Sequence, residues 1–369
     1  MEVEAVELRR VRVPLVAPFR TSFGVERERD VLLVRVLTAD GEGWGECVAM
    51  SEPAYSAEYA EGAHHVVRTH LLPRLLASAK DVVAEDVAAI LGGVKGHPMA
   101  KAAIETAVLD AQLRASGTPL AAYLGGVRDA VDAGVSVGIA SSVDELLDVV
   151  AGYLDDGYRR VKLKIEPGWD VEPVRATRER FGDELLLQVD ANGAYGEADI
   201  PHLARLEPFD LLLIEQPFAE DDLTAHTALA AALVTPVCLD ESIVSEASMR
   251  AAIAMAACDV VNIKAARVGG HLEARRIHDL CAAHQIPVWC GGMLETGIGR
   301  AANVALATLS NFTLPGDLSA SARYFEEDLT EPFVLDDGRL RVPSGPGIGV
   351  QPIRDVLDAA TTSLETFAP

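Results

Sequence analysis

The chain has 369 residues, 49% of them hydrophobic, with 56 acidic against 32 basic side chains and a formal net charge of −24 at pH 7. That length exceeds the roughly 250 residues of a barrel of alternating strands and helices, so a second, smaller unit is expected. The negative balance repels phosphate backbones and excludes nucleic acid as an expected partner.

Met1-Glu2-Val3-Glu4-Ala5 has neither the basic start nor the apolar run of a secretory leader, and no stretch reaches about 18 uninterrupted apolar residues. A cytoplasmic protein with no membrane partner is expected. Cys47, Cys238, Cys258, Cys281 and Cys290 form no CxxC pair and read as free packing thiols.

Val3, Ala5 and Leu8, then Val31-Leu32-Leu33-Val34-Arg35-Val36, pattern as strands, with Gly41-Glu42-Gly43 as a turn. Between them Pro18-Phe19-Arg20-Thr21-Ser22-Phe23-Gly24 reads as a loop with two aromatics and a cation, and residues 45–50, ending in Met50, lead into a second loop at 51–56. Binding residues concentrate on loops, which makes Phe19, Arg20, Phe23 and Met50 candidates. Residues 57–116 read as helical. Ala100, Ala103, Ile104, Ala107, Val108 and Ala111 share one face, and Gly117-Thr118-Pro119 stops the helix. Sheet followed by helices makes 1–126 an α+β capping domain.

Alternating units follow over 127–320. Residues 134–139, which include Ser136, form a first strand, and residues 143–153 its helix, N-capped by Ser142. Val161-Lys162-Leu163-Lys164-Ile165 is a second strand with two lysines on one face. The next runs end in Asp190, Glu215, Asp240 and Lys264. From 190 to 215 and from 215 to 240 is 25 residues each, and from 240 to 264 is 24. That period suits one strand, one helix and two loops. Residues 286–290 make a seventh strand, leading into Gly291-Gly292-Met293-Leu294-Glu295. Residues 311–317 make a weaker eighth, interrupted by Pro315. Beyond 320 the pattern is irregular up to a final helix at 353–364, and the segment 321–369 is expected to return to the cap. The fold class is therefore α/β: a modified TIM barrel of (β/α)7β type with an α+β cap built from both ends of the chain.

In a parallel barrel all strand C-termini open on one face, so these charges converge. Crowded carboxylates repel one another, and a divalent cation removes that cost. Asp190, Glu215 and Asp240 offer oxygen only, which suits Mg²⁺ or Mn²⁺ rather than zinc. Strands two and six lie opposite each other, so Lys162 and Lys164 face Lys264 across the mouth. A nearby cation is expected to lower a lysine's pKa toward neutrality, where it removes a proton α to a carboxylate while the metal stabilises the enediolate.

With Lys162-Leu163-Lys164, Asp190-Ala191-Asn192, Glu215-Gln216-Pro217, Asp240-Glu241-Ser242 and Asn262-Ile263-Lys264 in place, the chain resembles the enolase superfamily, and within it the muconate cycloisomerase subgroup. The resemblance implies that Lys164 and Lys264 are the acid/base pair, that Asp190, Glu215 and Asp240 bind Mg²⁺, and that Lys162 supports its neighbour. Lysine rather than histidine on the far side sets it apart from the mandelate racemase subgroup. Residues 18–23, 291–297 and 316–321 resemble the o-succinylbenzoate synthase and N-succinylamino acid racemase subfamily. The dipeptide epimerases carry Asp-x-Asp after strand eight to hold a substrate ammonium; here only Asp317 is present. Ala265 follows Lys264 where many relatives have proline.

The resemblance implies a small carboxylate substrate with a succinyl arm, dehydrated to o-succinylbenzoate in menaquinone biosynthesis, racemised as an N-succinylamino acid, or both. Ser136 and Gly291-Gly292-Met293 are expected at the succinyl end, with Phe19, Phe23 and Met50 as an apolar lid. Asn192, Arg20 and Glu295 are supporting candidates. Arg267 is expected either to tune Lys264 or to form an interfacial salt bridge. Muconate-type cycloisomerisation, dipeptide epimerisation and an inactive barrel used for binding or assembly are the alternatives. A homo-oligomer, up to an octamer, is implied.

Overall fold

The computed structural model describes residues 1–369. The strands are β1 (Val3–Thr21), β2 (Gly24–Thr38), β3 (Gly41–Cys47), β4 (Ala130–Asp132), β5 (Gly134–Val137), β6 (Arg160–Lys164), β7 (Leu186–Asp190), β8 (Ile214–Glu215), β9 (Val237–Leu239), β10 (Val260–Ile263), β11 (Val288–Cys290), β12 (Arg339–Arg341) and β13 (Thr361–Phe367). Strands β5 to β11 form one parallel sheet in sequence order, with helices between them. The cap is a four-stranded antiparallel sheet in the order β13-β1-β2-β3, and β4 with β12 forms a two-stranded ribbon. The expected α/β barrel with an α+β cap is the fold the chain adopts.

Three expectations need correction. The loop expected around Phe19 is the closed end of the β1–β2 hairpin, with Thr21 opposite Gly24. The eighth strand does not form. Residues 312–316 close the barrel through single bridges, Val288 with Phe312 and Ala133 with Gly316, because Pro315 has no N–H to donate to a ladder. The final helix is short, Arg354–Ala360, and the chain then turns to extended structure as β13, antiparallel to β1. The β-branched pair Thr361 and Thr362 favours that change, and the unpaired edge of β1 supplies the partners.

Helix Pro98–Ser116 ends where expected, at Gly117 with φ +69. It lies on β3 at very short range. A Cβ on Gly43 would sit 2.2 Å from the Ala107 carbonyl oxygen, and one on Gly45 would sit 2.0 Å from that of Ala103. The shared face of alanines thus has a sequence reason: only small residues allow this approach. Gly45→Val is expected to cost about 3 kcal/mol through overpacking, read as a lower urea midpoint.

Cap and barrel share buried polar contacts. The Glu46 carboxylate on β3 accepts from the Thr296 N–H at 3.0 Å, the Thr296 hydroxyl at 2.6 Å and the Gly299 N–H at 2.9 Å. Burial pushes its pKa up to about 7. Asp110 accepts from the backbone N–H groups of Trp44 and Ile348, tying the returning C-terminal segment to the cap. No helix is long and apolar enough to cross a membrane.

Candidate active site

Register explains how charges so far apart in sequence meet. Lys164 lies opposite Asp190, and Asp190 opposite Glu215, at the C-terminal ends of β6, β7 and β8. Glu215 lies opposite Cys238, so Asp240 is two residues further along the same face. Lys264 lies just past the end of β10. A stagger of two preserves the face, which is why a near-constant period places every side chain on one surface.

Asp190, Glu215 and Asp240 are fully buried, and Lys162, Lys164 and Lys264 nearly so. Lys162 Nζ is 3.1 Å from Asp190, 3.0 Å from Glu215 and 2.6 Å from Asp317. Lys164 Nζ is 2.5 Å from Asp190 and donates to Asn192 Oδ1 at 2.7 Å. Lys264 Nζ donates to Asp240 at 2.8 Å and to the Tyr55 hydroxyl at 3.0 Å, with the Tyr55 ring centroid 4.7 Å away. The carboxylate oxygens are not drawn together as a compact cluster of ligands; lysine ammonium groups stand among them.

Burial pulls the Lys162 pKa down, but Asp317, Glu215 and Asp190 outweigh it and hold it above the ordinary value. Burial also pulls Lys264 down, and Tyr55, Glu241 and Glu215 outweigh it. The lowering toward neutrality expected from a neighbouring cation is therefore not something the protein's own groups impose. Asp190 resists burial and stays well below the usual carboxylate range because Lys164 and Lys162 adjoin it. Glu215 is pushed up by burial and by Asp190. Burial, followed by the Asp190 charge, pushes Glu241 up to about 7. Its Oε1 accepts from Asn192 Nδ2 at 2.8 Å, while its Oε2 is buried with no partner. An orphaned carboxylate oxygen beside three buried acids, which offer oxygen ligands only, fits a hard divalent cation.

Backbone strain positions these groups. Asn192 and Gln216, each just after a strand end, have φ of 46 and 38. Gln216 ties β8 to β9: its Oε1 accepts from Asp240 N–H at 2.9 Å, and its Nε2 donates to the Ser242 hydroxyl at 2.8 Å. Arg267 is buried within the chain, not exposed for an interfacial salt bridge. It pairs with Asp240 and donates to the Ile243 and Asn262 carbonyls at 3.0 and 2.9 Å and to the Tyr55 hydroxyl at 3.2 Å. It thus reaches Lys264 through two shared partners, Asp240 and Tyr55.

A narrow cavity opens over the lysines. Phe19, Phe23 and Met50 line it from the cap, and Ser136, Asn192, Gly292 and Met293 from the barrel. Asp190, Glu215 and Asp240 lie beneath the lysines and do not line it, and four of the expected substrate-binding or supporting residues also lie outside its wall. The Arg20 side chain faces outward toward Glu166 at 3.4 Å. Gly291 packs on Asn262, where a Cβ would come within 2.3 Å. The Glu295 carboxylate turns back to accept from the Met293 N–H and the Asn303 amide, both at 2.9 Å. Arg267 sits behind Asp240.

Two residues escaped the sequence reading. Tyr55 lies 209 residues from the lysine it touches, and no local pattern connects them. Asp317, noted only as half of an Asp-x-Asp, is paired with both Lys162 and Arg160, the latter at 2.7 Å. Both of its partners consume it, so it is not free for a substrate ammonium.

Residues 4–125 match the mandelate racemase / muconate lactonizing enzyme N-terminal domain, and residues 145–356 match the enolase C-terminal domain-like family. The chain is 63% identical to an N-succinylamino acid racemase from Amycolatopsis sp over 363 residues, 98% of each chain. It is 46% identical to the o-succinylbenzoate synthase of Geobacillus kaustophilus, covering 100% of this chain and 98% of the other. A solved structure of an enolase-superfamily member from Listeria innocua superposes with a TM-score of 0.95 at 41% identity, over 100% of this chain and 99% of that one.

Proposed function

The chain belongs to the mandelate racemase / muconate lactonizing enzyme family of the enolase superfamily and is an enzyme, and on that premise we propose that it removes a proton α to a carboxylate with Lys164 and Lys264. The two reactions supported best are racemisation of N-succinylamino acids and dehydration to o-succinylbenzoate, the activities for which its 63% and 46% identical relatives are named. The observation that carries this reading is the opposition of two buried lysines, each on its own carboxylate, across one cavity.

Asp190, Glu215 and Asp240 are the residues that would hold a divalent cation, Mg²⁺ or Mn²⁺. Bound there, it would supply positive charge to the substrate carboxylate as the α-carbon loses its proton. The remaining work falls to the chain. Lys164 is steadied by Asn192, and Lys264 by Tyr55, so each Nζ is held in place before substrate arrives. In racemisation one lysine removes the α-proton and the other donates one to the opposite face. In dehydration Lys164 both removes the proton and returns it to the departing hydroxyl, and Lys264 acts as a fixed cation. Phe19, Phe23 and Met50 exclude water above the reacting carbon. The pairing of Asp317 with Lys162 and Arg160 disfavours a dipeptide with a free amine.

Racemisation needs Lys264 as a base, whereas dehydration needs only its charge. Arg267→Ala leaves Asp240 to Lys264 alone, and so is expected to lower racemisation about tenfold or more beyond its effect on dehydration. Equal losses in the two assays would remove this role. The reading as a whole is tested by polarimetry of N-succinyl-L-phenylalanine with Mg²⁺, beside an assay of o-succinylbenzoate formation. Decay of rotation or product formation is expected; inertness in both would overturn it.

A further inference from the structure

The turn after β9 carries two adjacent acids, and they serve opposite lysines. Asp240 pairs with Lys264 at 2.8 Å. Glu241 reaches Lys164 indirectly: its Oε1 accepts from Asn192 Nδ2 at 2.8 Å, and Asn192 Oδ1 accepts from Lys164 Nζ at 2.7 Å. This relay runs from the end of β9 past β8 to the ends of β7 and β6, with 49 positions of sequence between Glu241 and Asn192. Gln216 fixes its root, accepting from the Asp240 N–H at 2.9 Å and the Ser242 N–H at 3.3 Å. Glu241 is 8% exposed and forms no part of the cavity wall, whereas Asn192 and Lys164 both line it.

The backbone of Asn192 is already fixed. Its φ of 46 is a left-handed value that asparagine tolerates, and its N–H donates to Asp190 Oδ1 at 3.0 Å. What remains to be set is the orientation of the side-chain amide. A carboxylate offers only acceptors and an ammonium only donors, so an amide between them is satisfied one way round, nitrogen toward Glu241 and oxygen toward Lys164. Turned over, it would set N–H against the ammonium and oxygen against the carboxylate. The bond to Asn192 is the one side-chain hydrogen bond Glu241 makes, since its Oε2 has no partner, and a substitution there breaks no other.

We propose that Glu241 is a positioning residue for Lys164, acting through the Asn192 amide, and that its loss disables proton transfer on one face of the α-carbon more than on the other. The proposal rests on the reading of Lys164 and Lys264 as the two bases. Asn192 presents its oxygen to the Lys164 Nζ beside the pull of Asp190, 2.5 Å away, and so fixes the direction in which that lysine meets the cavity. Lys264 takes its direction from Asp240 and Tyr55 and shares no hydrogen-bond partner with Glu241. The field of Glu241 reaches Lys264 as well, but its hydrogen bond leads to Lys164 alone.

The test is α-proton exchange in D₂O on N-succinyl-L-phenylalanine and its D-enantiomer separately, at a Mg²⁺ concentration that saturates each variant. Lys164→Arg identifies the enantiomer that Lys164 serves. Glu241→Leu, of similar size but without an acceptor, is expected to slow exchange of that enantiomer about tenfold and of the other by less than about threefold. Glu241→Gln removes the charge but keeps an acceptor for Asn192, and is expected to restore most of the lost exchange. Equal losses of both enantiomers in Glu241→Leu, or no loss, would overturn the proposal. So would a one-sided loss in Glu241→Gln as large as that in Glu241→Leu, which would trace the effect to charge. If Glu241→Leu does not fold, Glu241→Ala carries the same expectations. If the intact enzyme exchanges neither enantiomer, the two-base reading fails, and a crystal structure of the Glu241 variant decides the positioning role by itself. The Asn192–Lys164 contact is expected to open beyond hydrogen-bond distance, and its persistence at 2.7 Å would overturn the role.

Discussion

Treatment with EDTA is expected to reduce turnover to less than about a thousandth, with Mg²⁺ or Mn²⁺ restoring it. The expectation follows from three fully buried carboxylates at successive strand ends, a fourth, Glu241, with an unpartnered oxygen, and no nitrogen or sulfur ligand among them. Lys162 and Lys164 pair with the acids, and Asp317, Glu215 and Asp190 hold Lys162 above its ordinary value, so the chain's own charges do not favour a developing negative charge on substrate. Chelation is a cleaner probe than substitution. Asp240→Asn, for example, would also remove the partner of Lys264 and of Arg267. Full turnover in the chelator would take the cation out of the mechanism.

Lys164→Arg and Lys264→Arg are each expected to lower racemisation by about 10⁴-fold. Arginine keeps the charge that Asp190 or Asp240 requires, so the buried carboxylates stay compensated. It cannot give up a proton near neutral pH, so the base is lost. Dehydration is expected to separate the two: Lys164→Arg abolishes it, and Lys264→Arg retains a measurable part because a cation remains. Unaltered melting temperatures would show that the losses arise in the chemistry.

The barrel and its charged rim were legible because a strand ending in a charge every 24 or 25 residues is a regular signal, and period-two alternation carries it through the stagger between β8 and β9. Elements whose form depends on distant partners were not legible. Residues 353–364 have a helical pattern, yet Thr361–Phe367 becomes β13 because β1, more than 340 positions earlier in sequence, offers a free edge. The barrel's eighth position was read as a strand, but Pro315 and the bridges at Phe312 and Gly316 make it an irregular closure.

Side-chain roles divide in the same way. Phe19, Phe23, Met50 and Ser136 reach the cavity, as loop position and strand face suggested. Arg20 and Glu295 stand in the same motifs and turn elsewhere, toward Glu166 and toward Asn303, since a motif fixes the backbone and not the direction of a long side chain. Tyr55 meets Lys264 only through tertiary folding, 209 residues away in sequence.

The most direct measurement is α-proton exchange in D₂O with Mg²⁺, followed by proton NMR separately on N-succinyl-L-phenylalanine and its D-enantiomer, for the intact enzyme, Lys164→Arg and Lys264→Arg. The account predicts exchange of both enantiomers by the intact enzyme and of one each by the variants, opposite enantiomers for the two lysines. Loss of exchange from the same enantiomer in both variants, or retention of both in either, would contradict a two-base site.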